Sequence, residues 1–105
     1  MNTNMPMILY NVTVSVDQAI ADEWLNWMKT NHIPKVMATG LFESNQIFKV
    51  LLQNEESVTF SVQYFTTSMA RLQQYHAKFA QSLQAEHLDK YDEQAVAFRT
   101  VLEKV

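Results

Sequence analysis

The sequence predicts an α+β domain: a four-stranded antiparallel sheet with two helices on one face, its elements running β-α-β-β-α-β. Three observations carry that prediction. Met7–Val16 and Val58–Thr66 alternate apolar and polar residues as half-buried strands do. Two intervening segments, led by Ile20-to-Asn31 and Leu72-to-Leu83, place apolar side chains at helical spacing. A chain of 105 residues, 48% of them hydrophobic, has room for one core and no second.

The first strand turns Ile8, Tyr10, Val12, Val14 and Val16 to one side and Leu9, Asn11, Thr13 and Ser15 to the other. Asp17 then suits a helix N-cap, because its carboxylate accepts from the free amides of a first turn. Ile20, Trp24, Trp27 and Asn31 fall at i, i+4, i+7 and i+11 with Met28 beside them, an amphipathic stripe whose tryptophans read as core. Asp22 and Glu23 early and Lys29 late suit the helix dipole. Pro34 is poor inside a helix, so a break is expected at His32-Ile33, followed by a short helical piece from Pro34 to Thr39. Gly40 closes it as a left-handed cap.

A second strand is read over Phe42–Gln53, with Phe48, Val50 and Leu52 on one face and Ile47, Lys49 and Leu51 on the other. Asn54-Glu55-Glu56-Ser57 is a polar turn. In the third strand Val58, Phe60, Val62 and Tyr64 point inward. Thr67 or Ser68 caps the next helix, whose stripe is Leu72, Tyr75, Phe79 and Leu83, with Met69, His76 and Ala80 alongside. The pattern loosens from Glu86 to Glu93. The last strand, Ala95–Leu102, sets Val96, Phe98 and Leu102 against Ala97, Arg99 and Val101. Residues 1–6 are expected as a disordered tail and 7–105 as a single domain. Two crossovers and one hairpin in this order make the ferredoxin-like arrangement, with the first and third strands central.

Composition excludes several function classes. Eight Lys+Arg against 11 Asp+Glu give a net charge of −3, whereas a nucleic-acid partner needs a basic face to neutralise phosphate. The absence of cysteine removes disulfides, thiolate nucleophiles and zinc–thiolate sites. One glycine, Gly40, cannot build a phosphate-cradling loop, a dinucleotide fingerprint or a nucleophile elbow. His32, His76 and His87 have no metal-ligand spacing, so neither a metal nor a cofactor is expected. The apolar run Met7–Tyr10 is far below the roughly 20 residues that span a bilayer, and residues 1–6 lack a secretory leader's basic start. A cytoplasmic protein without a membrane partner is the expectation.

Two helices cover only one sheet face. The other is expected to carry Leu9, Asn11, Thr13, Ile47, Lys49, Leu51, Ser61, Gln63, Phe65, Ala97, Arg99 and Val101, a set too apolar for water and too polar for a dry core. A second copy of the same chain is the simplest cover, giving a homodimer with its sheets face to face. In the space between them Arg99, with Gln63 and Asn11, holds an anionic or carbonyl-bearing organic ligand; the alternative is that Arg99 pairs with Glu43 or Glu103 across the dimer. His32 stands either at a pocket mouth or as a polar residue finishing its helix. His76 reads as a hydrogen-bonded core histidine and His87 as surface. No acid–base pair or activated nucleophile emerges on the open face, which favours a binding or regulatory dimer without catalysis. A cofactor-free monooxygenase- or isomerase-like enzyme using His32 and Arg99 is the alternative, and an interaction module with a filled interface is the third reading.

Several segments also resemble a family of short, uncharacterised bacterial proteins: Ile8-Leu9-Tyr10-Asn11-Val12-Thr13-Val14, Glu23-Trp24-Leu25, His32-Ile33-Pro34, Ala38-Thr39-Gly40, Ser61-Val62-Gln63-Tyr64 and Ala97-Phe98-Arg99-Thr100. The resemblance runs through nearly the whole chain from Met7 onward. It implies a ferredoxin-like protomer of the dimeric α+β barrel superfamily. That superfamily includes cofactor-free monooxygenases, lactone isomerases, haem-handling proteins and ligand-binding modules, so small-molecule binding is implied without a choice of reaction. It implies no catalytic residues.

Overall fold

The computed structural model describes residues 6–51 and 56–105. Strands β1 (Ile8–Asp17), β2 (Ser44–Lys49), β3 (Ser57–Thr66) and β4 (Ala95–Glu103) form one antiparallel sheet in the order β2-β3-β1-β4. The β-branched and aromatic strands β1 and β3 are therefore central, as expected from their content. Residues 1–5 of the expected tail at 1–6 and residues 54–55 of the polar turn lie outside the described residues, as do Leu52 and Gln53.

The first helix differs from the expected break. Ala21–Trp27, a wider π turn at Met28–His32 and Ile33–Met37 follow one another without interruption. Proline lacks an N–H and its ring crowds the carbonyl four residues back. Widening one turn relieves both problems, and the Ile33 N–H bonds Met28 O instead. Asp17 makes no capping bond; the chain enters this helix through a 3-10 turn at Gln18–Ile20. Gly40 ends it at φ +76°, the left-handed conformation that glycine adopts without cost.

The second helix is capped by Ser68, whose hydroxyl accepts from the Arg71 N–H at 3.2 Å. It runs through Met69–Tyr75, a π turn at His76–Ala80 and Gln81–Tyr91. The stretch read as loosened is thus helical through Tyr91, since Leu83, His87 and Tyr91 recur every four residues and share a face. Arg71 ties the two helices together, its guanidinium donating to Gly40 O at 2.6 Å and Leu41 O at 3.3 Å. Lys35 pairs with Glu86 at 2.9 Å across the helix tops.

Helices and sheet bury Ile8, Val14, Val16, Val36, Val62 and Leu72 between them, with Trp24 stacked on Phe60 at 5.0 Å. Both edge strands face the opposite way from the expectation. Ile47 pairs with Val62 and Arg99 with Val12, so Ile47, Lys49, Ala97, Arg99 and Val101 lie on the helix side. Phe48 pairs with Ser61 and Phe98 with Thr13, on the open side. Leu51 lies beyond the end of β2 and is exposed. A slip of one residue inverts every side chain of a strand. Here the open face of each edge is as apolar as the covered one, so alternation alone does not tell them apart.

The open face consequently reads as rows across the sheet. Gln46, Gln63, Asn11 and Thr100 form one row, flanked by Phe48, Ser61, Thr13 and Phe98 on one side and by Ser44, Phe65, Leu9 and Leu102 on the other. No ionisable side chain stands in these three rows.

Candidate functional site

The register of β4 opens a space beneath the helices. Ala97, opposite Val14, is too small to fill the gap between edge strand and second helix. A cavity of about 30 Å³ results, room for one or two ordered waters. Its floor comes from the central strands through Tyr10, Val12, Val62 and Tyr64. Its roof comes from Met28 and His32 of the first helix and Tyr75, Gln84 and His87 of the second. Gln84, His87, Ala97 and Arg99 are shared with an outer groove of about 330 Å³ between β4 and the end of the second helix, and form the throat between the two.

Three phenols, two imidazoles, one amide and one guanidinium therefore line a largely apolar sac. Burial raises the phenols of Tyr64 and Tyr75 above the ordinary tyrosine range, keeping both as neutral hydrogen-bonding groups. Burial raises Tyr10 as well, while the Arg99 guanidinium and the Gln84 side chain bond its hydroxyl and pull the other way. The Trp24 indole N–H donates to His87 Nε2 at 2.9 Å. An indole only donates, so this bond leaves Nε2 bare and puts the His87 proton on Nδ1. Burial and then Arg99 lower the His87 pKa.

The rings of His32 and His87 lie 6.0 Å apart, and Trp27 is 5.4 Å from His32. His32 Nδ1 is buried with no hydrogen-bond partner. Burial foremost, and then His87, lower His32 from 6.5 to about 4. The unfolded chain thus takes up a proton on this residue near pH 6.5 that the folded protein refuses until about pH 4. Stability is unaffected above that window and falls as pH drops through it, by about 3 kcal/mol in all. Urea unfolding at pH 7 and at pH 4.5 measures the loss, and His32→Asn flattens it.

The sequence-nominated site residues divide between the two faces of the sheet. Arg99 and His32 meet at the cavity, His32 from inside a continuous helix rather than a break. Asn11 and Gln63 are on the open side, in a hydrogen-bonded chain: Gln46 Nε2 to Gln63 Oε1 at 3.0 Å, Gln63 Nε2 to Ser61 Oγ at 3.0 Å, Ser61 Oγ to Asn11 Oδ1 at 2.6 Å, and Asn11 Nδ2 to Thr13 Oγ1 at 3.1 Å. The cause is the inverted register of β4. His87 is partly buried rather than surface, and His76 is exposed rather than core, although its Nδ1 bonds Leu72 O at 3.1 Å. Tyr10 and Tyr75, expected as core, and Gln84, which carries no expectation, line the cavity as well. The four-residue spacing of Leu83, His87 and Tyr91 is the signal that would have found His87.

Among the described residues no cluster of three His, Cys, Asp or Glu side chains offers a metal site. No carboxylate lines the inner cavity. What remains is a cation and neutral donors, an arrangement that holds an oxyanion or a carbonyl.

The family described as a domain of unknown function, DUF4286, matches residues 7–105. The chain belongs to the DUF4286 family. No curated protein matches this DUF4286 chain. It is similar in structure to a dimeric ferredoxin-like protein from an uncultured marine organism, with a TM-score of 0.74 at 10% identity over 95% of this chain and 96% of that one. It is also similar to the de novo designed protein Foldit4, with a TM-score of 0.54 at 9% identity over 94% of this chain and 99% of that one. The DUF4286 chain therefore has the ferredoxin-like fold. Among the described residues no helix is long and apolar enough to cross a membrane.

Proposed function

We propose that the protein is a cytoplasmic homodimer of the dimeric α+β barrel type that binds a small organic anion without transforming it. The ligand sits beside the sheet, under the helices, with its acidic head at Arg99 and its body in the outer groove. The observation that carries this reading is the throat itself: a guanidinium placed between a largely apolar inner cavity and an open groove, beside two imidazoles that burial keeps neutral. Arg99 forms no salt bridge among the described residues. A guanidinium in a partly closed site favours a carboxylate with two parallel N–H···O bonds. Binding is favoured over catalysis because neither histidine has a carboxylate beside it in the cavity to make it a strong base.

His32 retains its proposed ligand role, as does Arg99. Asn11 and Gln63 are assigned to the dimer interface instead, as the polar row through an otherwise apolar face. The absence of charge from the three rows supports a second copy as the cover, because a two-fold contact brings like groups together and charged residues are depleted at interface cores. A cofactor-free enzyme remains the second reading, favoured by the adjacent imidazoles alone.

The test is a thermal-shift screen of small carboxylates, followed by Arg99→Ala on any hit. Loss of a charge-assisted bond weakens binding about 10- to 100-fold, with the dimer intact because Arg99 is on the helix side. An unchanged affinity removes Arg99 from the site, and a dissociated dimer makes it structural. Turnover of any hit replaces the binder with the enzyme.

A further inference from the structure

We propose that anion binding in this cavity takes up a proton on His32, so that the protein holds its ligand more tightly in mild acid. This rests on the ligand reading above and names how that site responds to pH.

The geometry separates the two imidazoles. His87 is committed: its Nε2 already accepts the Trp24 indole proton, and a second proton placed there would oppose donor to donor. His32 is uncommitted, because its buried Nδ1 has no partner to lose. Only His32 gains a proton without breaking a bond that exists in the empty protein.

The groups facing His32 come from every element packed on it. His87 and Glu86 reach it from the second helix, Lys35 from its own helix, and Arg99 from β4. Lys35 and Glu86 are paired at 2.9 Å, so their effects on His32 largely cancel. What is left is burial, the His87 ring and the Arg99 cation, all of which favour a neutral His32. An anion seated on Arg99 reverses the sign of that field. It also supplies an acceptor for an imidazolium N–H.

A carboxylate next to a cationic group moves its pKa by about one to three units. His32 rises by that amount from about 4 once the ligand is in place. A shift of about two units makes binding about tenfold tighter at about pH 5 than at about pH 7, with close to one proton taken up at the lower value.

Benzenesulfonate is the probe, because its own charge is constant over this range and its ring suits the Leu88 and Val96 side of a groove whose other lining includes Asp92 and Glu93. Calorimetry in buffers of different ionisation heat counts protons taken up on binding. Carbon-bound ring protons of His32, followed by NMR with and without the probe, report its titration directly in the unaltered protein. The expected result is an uptake near one at about pH 5, a His32 midpoint raised by the probe, and tightening of about tenfold from about pH 7. His32→Asn abolishes both the uptake and the tightening. Binding with no uptake, or uptake that survives in His32→Asn, overturns the inference and leaves the ligand site standing. No binding of the probe or of benzoate up to about 10 mM, well above a millimolar Kd, removes the ligand site and the inference together.

Discussion

Replacing Trp24 by alanine lowers the stability of the protomer by about 3–5 kcal/mol. Trp24 is wholly inaccessible to solvent, and its ring is stacked on Phe60 at 5.0 Å. Truncation leaves a void that the helix cannot close, because Met28 and Val36 on the same rod are themselves packed on the sheet. It also removes the donor that holds His87 in its tautomer, leaving the buried Nε2 lone pair without a partner. Domains of this size are stable by about 5–15 kcal/mol, so the change consumes a large part of the total. At about 4–8 °C per kcal/mol, the melting temperature falls by roughly 12–40 °C. Calorimetry on Trp24→Ala and Trp24→Phe separates the two contributions. Phenylalanine keeps most of the volume and loses the hydrogen bond, so it costs about 1–2 kcal/mol. Equal losses in the two variants would show that the indole N–H, not the ring volume, dominates.

The same residue shows what was legible in the sequence. Trp24 belongs to a helical stripe whose period is unambiguous, and it lies where the stripe places it. The central strands were equally legible, because Val14, Val16 and Val62 face the helices while Asn11, Thr13 and Ser61 do not. The edges were not. Phe98 looks like a core residue and Ala97 like a space-filler beside a pocket, yet Phe98 is 63% exposed on the open side and Ala97 faces the helices. Hydrophobicity marks a surface that leaves water, and it does not say whether its own helices or another molecule provides the cover. That ambiguity carried Arg99 to the wrong face. The cavity was hidden for a second reason. His32 and His87 are far apart in sequence and meet only because the first helix continues through Pro34 and the second continues past Glu86. A proline that widens a turn instead of ending a helix is a tertiary outcome, decided by the packing of Ile33 and Val36 on the sheet.

Phe98→Glu converts the proposed dimer to a monomer at micromolar concentrations. In the isolated protomer Phe98 is already 63% exposed, so the substitution changes protomer stability little, within about 0.5 kcal/mol plus a small loss of strand preference. In a two-fold dimer through the open face the same change removes two aromatic side chains from a neutral, apolar surface. It buries two carboxylates there, with no cation in the three rows to receive them. An unpaired buried charge costs several kcal/mol, and every 1.4 kcal/mol is tenfold in the dissociation constant. Light scattering coupled to size exclusion then reports the protomer mass of 12.2 kDa in place of about twice that value, while far-UV circular dichroism stays unchanged. Phe98→Leu keeps the face apolar and the dimer intact. Lys90→Glu, on the helix side, makes a twofold larger change in charge and leaves the assembly alone, so net repulsion between copies is not what separates the Phe98→Glu chains. A Phe98→Glu protein that remains a dimer places the contact elsewhere, and the neutral rows then need another cover.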